Sequence, residues 1–462
     1  MDSNSFLNKK CLIFGSGVSG KGAARLLLDC GAEVFLFDEN EKTDREAVRA
    51  SFKEEDRISV ICGELPEEVK DSTELCVLSP GVPLENHYVT ELEKSGIEII
   101  GEIELACRIA EGDIIAITGT NGKTTTTTLV GEIMKDYAKS LPEKRDVLVV
   151  GNIGEPYTLH ASETKENTVT VAEISSFQLE TIVFFKPHIS AVLNITPDHL
   201  NRHHTMENYA AMKERITENQ DETDFLILNH DDPLTRSIAE RTRAKTVFFT
   251  REEGGYGKDT EHDYVHIMDG AVFYNDRKII ALNEIRLLGS HNHENIMAAV
   301  GMAVSFGVPD HIIADTIRNF NAVEHRIEFV KTVDGADYYN DSKGTNPDAS
   351  IKAVEAMVKP TVIIAGGYDK DSTYDEFIEA FPGKVKLMVL IGATAEKIKQ
   401  CAEAHGFKEI VMAEDLKDAV RICHENAGEG EAVLLSPACA SWGMFKNFEE
   451  RGRLFKEYVN SL

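Results

Sequence analysis

Residues 119–124 (Gly-Thr-Asn-Gly-Lys-Thr) contain the residue types that a polyphosphate site needs. They follow the apolar run 114–117 and precede a helical pattern, so backbone amides and the helix dipole would point at phosphate oxygens. Lys123 would place a positive charge on the terminal phosphates, and Thr124 would offer its hydroxyl to magnesium. The strict phosphate-loop pattern fails only at its first position, where Ile117 replaces glycine. Since a lysine and several threonines at a helix start have no role in packing, the segment predicts a nucleoside triphosphate site.

A second glycine-rich turn lies at residues 15–20 (Gly-Ser-Gly-Val-Ser-Gly), with Asp38 at the end of the next predicted strand. This spacing is typical of dinucleotide-binding folds, in which glycines admit a pyrophosphate and the acid binds a ribose hydroxyl. It supports an NAD-dependent oxidoreductase as a rival hypothesis, with a turn that binds no ligand as the simpler alternative. An oxidoreductase has no need of the Lys123 turn, so the chain binds two nucleotide-type ligands or one turn is vestigial.

Polar side chains also follow two other predicted strands of the central region. Glu173 ends the strand 169–173, where an acid beside a phosphate turn could bind magnesium or, more simply, interact with the dipole of its own helix. His199 follows the strand 189–195, and this position favours a functional role over that of a surface histidine. Composition predicts that Lys213 is a solvated helix residue, while Asn295 could cap a helix or point into a cleft.

The last third of the chain contains three polar or glycine-rich loops after apolar strands. They are residues 340–346 (Asn-Asp-Ser-Lys-Gly-Thr-Asn), 366–370 (Gly-Gly-Tyr-Asp-Lys) and 436–442 (Ser-Pro-Ala-Cys-Ala-Ser-Trp). Folds of the α/β class place ligands at such loops. Each alone is more often an ordinary loop, but three together, two of them with a lysine, favour an anionic substrate.

The elements that must position these residues alternate regularly along the chain. Apolar runs of strand length end in small or polar residues and are followed by helical patterns, which indicates parallel α/β layers. The clearest runs are residues 11–14, 34–37, 114–117, 147–150, 189–195, 225–228, 361–365, 387–391 and 432–435. A chain of 462 residues is long enough for roughly three domains. We expect the boundaries near Gly101 and Ala322.

The overall composition restricts the classes of partner. The formal net charge of -29 would repel nucleic acid backbones, which argues against binding to DNA or RNA. Apolar stretches are too short for a membrane span, and the first ten residues lack the features of a secretory signal. The eight cysteines include no C-x-x-C pair, as expected for reduced core residues. We therefore expect a cytoplasmic protein that binds neither nucleic acid nor membranes. We also expect a monomer, an expectation that does not follow from composition.

Several motifs taken together resemble the Mur ligase family, and the likeness extends over essentially the whole chain. They are residues 118–124, 151–154 (Gly-Asn-Ile-Gly), 173–179 (Glu-Ile-Ser-Ser-Phe-Gln-Leu), 198–199 (Asp-His), 291–292 (His-Asn) with Asn295, and 325–326 (His-Arg). This combination is far more specific than either glycine turn alone. Within the family, residues 340–343 (Asn-Asp-Ser-Lys), where sister ligases carry different loops, and residues 436–451 resemble the members that add D-glutamate.

The resemblance implies an ATP-dependent carboxylate–amine ligase that adds D-glutamate to UDP-N-acetylmuramoyl-L-alanine through an acyl phosphate, in peptidoglycan precursor synthesis. It also implies an α/β fold of three domains. A Rossmann-like domain (1–101) would bind the uridine nucleotide substrate, a central P-loop ATPase domain with a mostly parallel sheet (102–322) would bind ATP, and a second Rossmann-like domain (323–462) would bind the amino acid. The N-terminal glycine turn would then hold a uridine nucleotide instead of NAD. A nucleotide switch that hydrolyses ATP slowly remains a third hypothesis.

The resemblance further implies roles for particular residues and a requirement for two Mg²⁺ ions. Lys123, His199 and Lys213 would be catalytic, with Lys213 carbamylated so that its added carboxylate reaches a metal ion. Thr124 and Glu173 would bind one Mg²⁺, whereas His199 and carbamylated Lys213 would bind the other. The ATP contacts would be Gly119, Thr120, Asn121, Gly122, Lys123, Thr124, Thr125, Asn295, Arg326 and Asp341. The uridine nucleotide substrate would contact Val18, Ser19, Asp38, Ser79, Gly81, Asn152 and His199, and D-glutamate would contact Lys343, Thr345, Lys370, Ser441 and Phe448.

Overall fold

The computed structural model describes residues 3–252, 261–321, 323–369 and 372–462, and within these ranges the chain forms three β-sheets with flanking helices. Two compact units divide the chain. The first comprises Met1–Glu284 with Glu294–Arg318 and contains two of the sheets, and the second comprises Ile285–His293 with Asn319–Leu462 and contains the third. The expected boundary at Gly101 falls at the end of a strand, whereas Ala322 lies outside the described residues.

The first sheet has five described strands, all parallel, in the order β3-β2-β1-β4-β5. Its strands are β1 (Lys10–Phe14), β2 (Glu33–Asp38), β3 (Ile58–Cys62), β4 (Leu75–Leu78) and β5 (Glu98–Gly101). The helices of this region are α1 (Val18–Asp29), α2 (Arg45–Arg49), α3 (Glu67–Ser72), α4 (His87–Lys94) and α5 (Glu102–Ile109). Apolar side chains cover both faces of the sheet, which explains why its strands are continuous apolar runs.

The second sheet has nine described strands in the order β14-β13-β12-β11-β10-β9-β6-β8-β7, parallel except for the antiparallel ribbon β12-β13-β14. Its strands are β6 (Asp113–Thr118), β7 (Val147–Gly151), β8 (Val169–Glu173), β9 (Ile189–Val192), β10 (Phe225–Asn229), β11 (Lys245–Thr250), β12 (Asp263–Met268), β13 (Ala271–Tyr274) and β14 (Arg277–Ala281). The helices of this region are α6 (Lys123–Ser140), α7 (Ser176–Leu179), α8 (Leu200–His203), α9 (Met206–Glu214), α10 (Pro233–Arg236), α11 (Ser290–Ser305) and α12 (Asp310–Asn319).

The third sheet has six described strands in the order β15-β16-β20-β17-β18-β19, and only the β15–β16 pair is antiparallel. Its strands are β15 (Glu328–Val333), β16 (Ala336–Asn340), β17 (Thr361–Ala365), β18 (Val385–Leu390), β19 (Ile410–Met412) and β20 (Ala432–Leu435). The helices are α13 (Pro347–Ala356), α14 (Asp375–Glu379), α15 (Ala395–Ala404), α16 (Leu416–Asn426) and α17 (Phe448–Asn460).

The strand orders place the candidate residues at the ligand-binding edges of the sheets. In each sheet, strands that are distant in sequence lie side by side, namely β1 beside β4, β6 beside β9, and β16 beside β20. At such positions the connections leave in opposite directions, so a crevice opens beyond the carboxyl ends of the strands. The two glycine turns and the loops that follow β16 and β20 all begin at these edges.

The predicted strand 189–195 ends earlier than expected, at Val192. Beyond it, the Asn194 side chain bonds to the backbone of Asn121, and the Ile195 amide donates to Asp232 Oδ2 at 2.7 Å. These bonds replace the ladder of a strand, so the last residues of the apolar run form a loop instead.

Helix α5 connects the first two sheets within the first unit. Its Glu104 is fully buried and accepts hydrogen bonds from the amides of residues 183–185 at 2.9–3.1 Å. Arg108, one turn later, donates to Glu104 Oε1 at 2.9 Å. Glu102 accepts from the amide and hydroxyl of Thr158 at 2.9 and 3.1 Å. A single cluster of buried apolar residues also runs through both sheets.

Within the described parts of the chain, no helix combines the length and apolar character that crossing a bilayer would demand.

Candidate active site

The turn after β6 has the backbone that its glycines predict. Gly119 and Gly122 have φ values of 148° and 85°, a region that residues with a Cβ rarely adopt. A Cβ atom added to Gly122 would lie 2.1 Å from Asn295 Oδ1, so the glycine is also needed for close approach to α11. Helix α6 begins directly after Gly122, at Lys123. The backbone amides of the turn and the positive end of the helix dipole therefore occupy one place, as a phosphate site requires.

Hydrogen bonds from the loop after β9 hold the turn in shape. Asn121 donates its amide to Asn194 Oδ1 at 2.8 Å, and Asn194 Nδ2 donates to the Asn121 carbonyl at 3.1 Å. The Thr120 hydroxyl donates to the Thr196 carbonyl at 3.1 Å. Because these bonds fix the backbone of the turn, it loses little conformational freedom on binding phosphate.

Two lysines converge on the turn. Lys123 Nζ donates to the carbonyls of Gly119 and Thr120 at 2.9 and 2.8 Å, and Lys213 Nζ donates to the Gly119 carbonyl at 2.8 Å. Lys213 is only 1% exposed, and its Nζ lies 4.5 Å from the centre of the Tyr209 ring. Burial, reinforced by the charge of Lys123, lowers the pKa of Lys213 to about 7. The composition-based prediction of a solvated Lys213 is therefore wrong, because α9 directs this side chain at the sheet edge.

Glu173 provides a buried carboxylate one strand away from the turn, since β8 pairs with β6 and Glu173 is opposite Ile117. The residue is 2% exposed. Asn152 Nδ2 donates to Glu173 Oε1 at 2.8 Å, whereas Oε2 has no hydrogen-bond partner among the described residues. A buried carboxylate oxygen without a donor is costly unless a cation binds it, so this group fits a hard metal ion such as Mg²⁺.

His199 lies at the start of α8 in a left-handed backbone conformation, with φ 51°. Its side chain is half exposed, 3.5 Å from Asp198 Oδ2 and 4.9 Å from the Phe177 ring centre. Sequence reasoning missed its neighbour His203, which is buried and within 3.0 Å of the Ser176 hydroxyl. Burial lowers the pKa of His203, which favours a neutral ring that supports the local packing.

The N-terminal glycine turn is held by Asp38, whose carboxylate accepts from the amide and hydroxyl of Ser16. Partial burial would raise the pKa of Asp38, but these bonds and one from the Asn40 amide lower it overall. Ser79, at the end of β4, donates its hydroxyl to the Gly15 carbonyl at 3.2 Å. The remaining expected contacts lie around this turn and the loop after β4, with Val18 and Gly81 exposed and Ser19 half-buried.

A narrow cleft lies in the first unit between the loop after β4 and the segment around α7 and α8. Arg202, a residue that sequence reasoning missed, lines it. Its guanidinium donates to the Val82 carbonyl at 3.0 Å and to Glu180 Oε2 at 2.5 Å. The sequence signal was its place three residues after His199 on the same short helix.

In the second unit, Asp341 directly follows β16. The Ser436 hydroxyl donates to its Oδ2 at 2.7 Å, and the Ile327 amide donates to Oδ1 at 3.3 Å. Burial nevertheless raises the pKa of Asp341 to about 7. Arg326 is exposed in the turn before β15 and lies in this same unit, whereas Asn295 belongs to the first unit.

Arg451 connects the loops after β16 and β20. It is fully buried, and its Nε and Nη2 donate to the hydroxyl and carbonyl of Ser342 at 2.9 and 2.8 Å, while Nη1 donates to the Cys439 carbonyl at 3.1 Å. Burial lowers the pKa of Arg451 to about 10. Sequence reasoning missed this residue, although a signal existed: it shares the buried face of α17 with Phe455 and Val459, where an apolar residue is expected.

The expected D-glutamate contacts lie around these same loops. Lys343 Nζ is 5.5 Å from the centre of the Phe448 ring, so the structure brings these two together. Ser441 is buried and Thr345 is half-buried, and the exposed Trp442 contacts Tyr368 with ring centres 5.7 Å apart. Lys370 lies outside the described residues.

Three family models match the chain. They are described as the Mur ligase MurD-like N-terminal domain (residues 9–101), the Mur ligase middle domain (117–303) and the Mur ligase glutamate ligase domain (325–439).

Several relatives match over nearly their full length. Proteins named UDP-N-acetylmuramoylalanine--D-glutamate ligase from Lachnoclostridium phytofermentans and Lachnospira eligens are 50% and 49% identical to this chain. The first alignment covers 99% of both chains, and the second covers 98% of this chain and 99% of the relative. A protein of the same name from Caldanaerobacter subterraneus subsp. tengcongensis is 47% identical over 98% of both chains.

Solved structures support the architecture. A UDP-N-acetylmuramate-alanine ligase from Thermotoga maritima matches with a TM-score of 0.59 and 19% identity, covering 98% of this chain and 99% of the other. A MurF ligase from the same organism, solved in complex with ADP, matches with a TM-score of 0.58 and 17% identity, covering 100% and 97%. At this identity the likeness concerns the fold, and it confirms the predicted α/β architecture of three domains with mostly parallel sheets.

Proposed function

The chain belongs to the Mur ligase family, and we propose that it joins D-glutamate to UDP-N-acetylmuramoyl-L-alanine while converting ATP to ADP and phosphate. The observation that carries this proposal is the identity of 50% over 99% of the chain with a ligase named for these substrates. The preorganised lysine turn after β6 supports it independently, because an oxidoreductase would not need that turn. No finding supports the rival based on the N-terminal glycine turn and NAD.

The proposed reaction has two steps. The L-alanyl carboxylate attacks the γ-phosphorus of ATP, so an oxygen–phosphorus bond forms, the bond to the β-phosphate oxygen breaks, and ADP leaves. The resulting acyl phosphate is a much better electrophile than a carboxylate. The neutral amine of D-glutamate then attacks its carbonyl carbon, and a tetrahedral intermediate loses phosphate and a proton to give the amide. Most of the catalysis in such transfers comes from positioning and charge neutralisation.

Lys123 and the backbone amides of its turn would hold the β- and γ-phosphates. In the structure Lys123 Nζ bonds to two carbonyls of the turn, and in the complex it would exchange these for phosphate oxygens. Gly119, Thr120, Asn121, Gly122, Thr124, Thr125 and Asn295 would complete the ATP contacts from the first unit, and Arg326 and Asp341 would serve the adenosine part. His199 and Lys123 would stabilise the negative oxygens that develop in both steps.

Two Mg²⁺ ions would assist, and the donor groups fit them. Glu173, whose buried Oε2 has no hydrogen-bond partner within the described part of the chain, and Thr124 would hold one ion. His199 with carbamylated Lys213 would hold the other. Bound Mg²⁺ would neutralise phosphate charge and polarise the reacting oxygens. Carbamylation requires the neutral amine, whose lone pair forms an N–C bond to CO₂ as a proton leaves. The pKa of about 7 makes that form abundant at neutral pH.

The other ligands would bind at the two remaining sheet edges. We assign the uridine nucleotide substrate to Val18, Ser19, Asp38, Ser79 and Gly81, with Asn152 and His199 near its reacting end, and D-glutamate to Lys343, Thr345, Lys370, Ser441 and Phe448. Domains at 1–101, 102–322 and 323–462 would thus bind one substrate each. We expect the chain to act as a cytoplasmic monomer.

A coupled phosphate-release assay tests the function, with mass spectrometry to detect the new amide. We expect phosphate release only when ATP, UDP-N-acetylmuramoyl-L-alanine and D-glutamate are all present, and no release with L-glutamate. Lys123→Ala should abolish the activity, whereas Lys139→Ala, which changes an exposed lysine of the same helix, should retain it. Amino-acid-independent hydrolysis would instead support the nucleotide switch, and a nicotinamide absorbance change would support the oxidoreductase.

A further inference from the structure

Four side chains with metal-binding atoms meet on the surface of the second unit, and none of them is among the proposed substrate contacts. One ligand atom each of Asp375, Cys401 and His405 lie within 4.8 Å of one another. His405 Nε2 is 3.7 Å from Asp375 Oδ1 and also 3.7 Å from Glu379 Oε1. The group thus offers a thiol, an imidazole and two carboxylates, and we call it the α14–α15 cluster.

Helix geometry explains why these four side chains converge. Asp375 and Glu379 are four residues apart on α14, so they lie on one face of that helix. Cys401 and His405 are likewise four residues apart, and His405 is the C-cap residue that directly follows α15. The two helices pack against each other, which sets the acid pair opposite the thiol and imidazole. Burial and the nearby Asp375 raise the pKa of the Cys401 thiol, as expected when a carboxylate faces it.

The imidazole is oriented as a metal ligand would be. His405 Nδ1 lies 3.0 Å from the Cys401 carbonyl oxygen, which can only accept, so Nδ1 carries the proton. The lone pair of the neutral ring is then on Nε2, the nitrogen that faces both carboxylates, whereas Cys401 Sγ lies 3.9 Å from Nδ1 of the same ring. Histidines that bind metals usually donate their other ring N–H to a carbonyl or carboxylate in this way, which fixes the ring orientation.

We propose that the α14–α15 cluster binds one divalent cation of the zinc class, with Cys401, His405, Asp375 and Glu379 as ligands. Zinc accepts this mixture of sulfur, nitrogen and oxygen donors in a tetrahedron, whose edges at ordinary bond lengths are about 3.3–3.8 Å. The two 3.7 Å separations between His405 Nε2 and the carboxylates match that size. The ligand atoms of Asp375, Cys401 and His405 lie within 4.8 Å of one another, so metal binding would draw the thiol closer to the other ligands. Mg²⁺ and Ca²⁺ are disfavoured because they prefer oxygen ligands only. On binding, the Cys401 thiol loses its proton to solvent and the thiolate coordinates the metal.

A bound ion would link α14 to α15 and so stabilise the loop after β20, which the residues before both helices contact. Tyr374 precedes α14 and Thr394 precedes α15, and the hydroxyl of each lies 3.2 Å from Cys439 Sγ in the loop after β20. None of the four metal ligands is a proposed substrate contact of the ligase reaction. We therefore expect metal binding to change the thermal stability of the protein more than its activity. A metal bound here would raise the melting temperature even without any substrate.

Titration of the metal-free full-length chain with Co²⁺, in excess Mg²⁺ to fill sites made of oxygen ligands, tests the proposal. We expect a thiolate-to-cobalt charge-transfer band that saturates at one ion per chain and disappears when Zn²⁺ displaces the cobalt. Cys401→Ser should abolish the band, and the paired change Asp375→Asn with Glu379→Gln should weaken Zn²⁺ binding by on the order of 100-fold or more. Cys30→Ser, which alters another half-buried cysteine, should leave the band unchanged.

Thermal unfolding provides the second measurement. Zn²⁺ should raise the melting temperature of the unaltered chain and of Cys30→Ser, but not that of Cys401→Ser or His405→Ala. The two acids are mostly exposed, at 61% and 64%, so their amide variants should fold and keep the experiment interpretable. Absence of the cobalt band in the unaltered chain, or its persistence in Cys401→Ser, would overturn the proposal.

Discussion

At the level of single residues, Lys213 shows how burial prepares a side chain for chemistry. Its amine is removed from solvent and bonds to one carbonyl, that of Gly119, with the charge of Lys123 nearby. Desolvation destabilises the protonated form, so at neutral pH a large share of the molecules carry a neutral amine. That form can react with CO₂, whereas an ordinary surface lysine remains almost fully protonated.

We expect Lys213→Ala to lower kcat by about 100-fold or more, because it removes the proposed carbamate and with it a charge that stabilises the transition state. The variant should fold, since it buries no new polar group. NMR spectra of protein in ¹³C-bicarbonate should show a carbamate signal that the variant lacks. Lys139→Ala, an exposed change, should retain both activity and signal. Full activity of Lys213→Ala would contradict the assigned role.

Asp341 should make stability depend on pH, because its folded pKa of about 7 lies above the ordinary pKa of 3.8 that an aspartate has in the unfolded chain. Between these values the folded chain holds a proton that the unfolded chain has released, so the free energy of unfolding falls as pH rises. Asp341→Asn cannot titrate. The variant should therefore gain stability relative to the original chain between pH 4 and 7, by up to about 4 kcal/mol. Urea unfolding at several pH values measures this, and a pH-independent difference would contradict it.

At the level of elements, the turn between β6 and α6 is shaped by steric limits as much as by hydrogen bonds. Gly122 combines a positive φ with an approach to Asn295 that leaves no room for a Cβ atom. A side chain at position 122 must displace the Asn295 side chain or distort the turn, and either movement disturbs a group that we propose contacts ATP.

We expect Gly122→Ala to weaken ATP binding by about tenfold or more, which corresponds to roughly 1.4 kcal/mol. Gly96→Ala is a matched control, since Gly96 has a similar φ of 79° but no atom within 4 Å of the added Cβ. Both variants carry the same kind of backbone strain, of about 1 kcal/mol. Calorimetric titration with ATP should therefore separate the two, and equal affinities would contradict the steric argument.

Arg451 connects α17 to two loops that carry proposed substrate contacts. Arg451→Ala should destabilise the second unit by about 3 kcal/mol, because it leaves buried acceptors on Ser342 and Cys439 without their donors. Because the two loops carry proposed D-glutamate contacts, Arg451→Ala should also increase the KM for D-glutamate. Arg453→Ala, which alters an exposed arginine of the same helix, should change neither quantity. Urea unfolding and steady-state kinetics provide the two measurements, and wild-type stability of Arg451→Ala would contradict the assignment.

At the level of the whole molecule, Glu104 makes the first two sheets depend on each other. Glu104 lies on α5, directly after the first sheet, and its carboxylate accepts hydrogen bonds from three backbone amides in the region of the second sheet.

Glu104→Gln places an NH₂ group against some of those amide donors, so we expect it to lower the free energy of unfolding by about 3 kcal/mol. Calorimetry should show the transition of the first unit several degrees lower, whereas Glu132→Gln, on the exposed side of α6, should leave it unchanged. An unaltered transition in Glu104→Gln would refute this.

Much of the fold and part of the candidate site could be predicted from the sequence. The strands of parallel sheets are buried on both faces, so apolar runs in the sequence predict them. The glycines of the Lys123 turn predict its unusual φ values. The burial of Lys213 and Arg451 could not be predicted, because each depends on which distant loops surround the side chain. The early end of β9 likewise results from a bond between Asn194 and a turn about 70 residues earlier in sequence.

The sharing of α5 between two sheets also limits how this protein can be recombined with its relatives. In a chimera that takes residues 1–101 from another ligase, the native α5 would pack against side chains of the other protein. Glu102 and Glu104 of α5 would still accept hydrogen bonds from residues 158 and 183–185. Transplanting the first sheet in working form therefore requires moving α5 together with the two segments whose amides donate to its acids. The useful crossover points lie beyond residue 185, well outside the boundary that strand counting alone would choose.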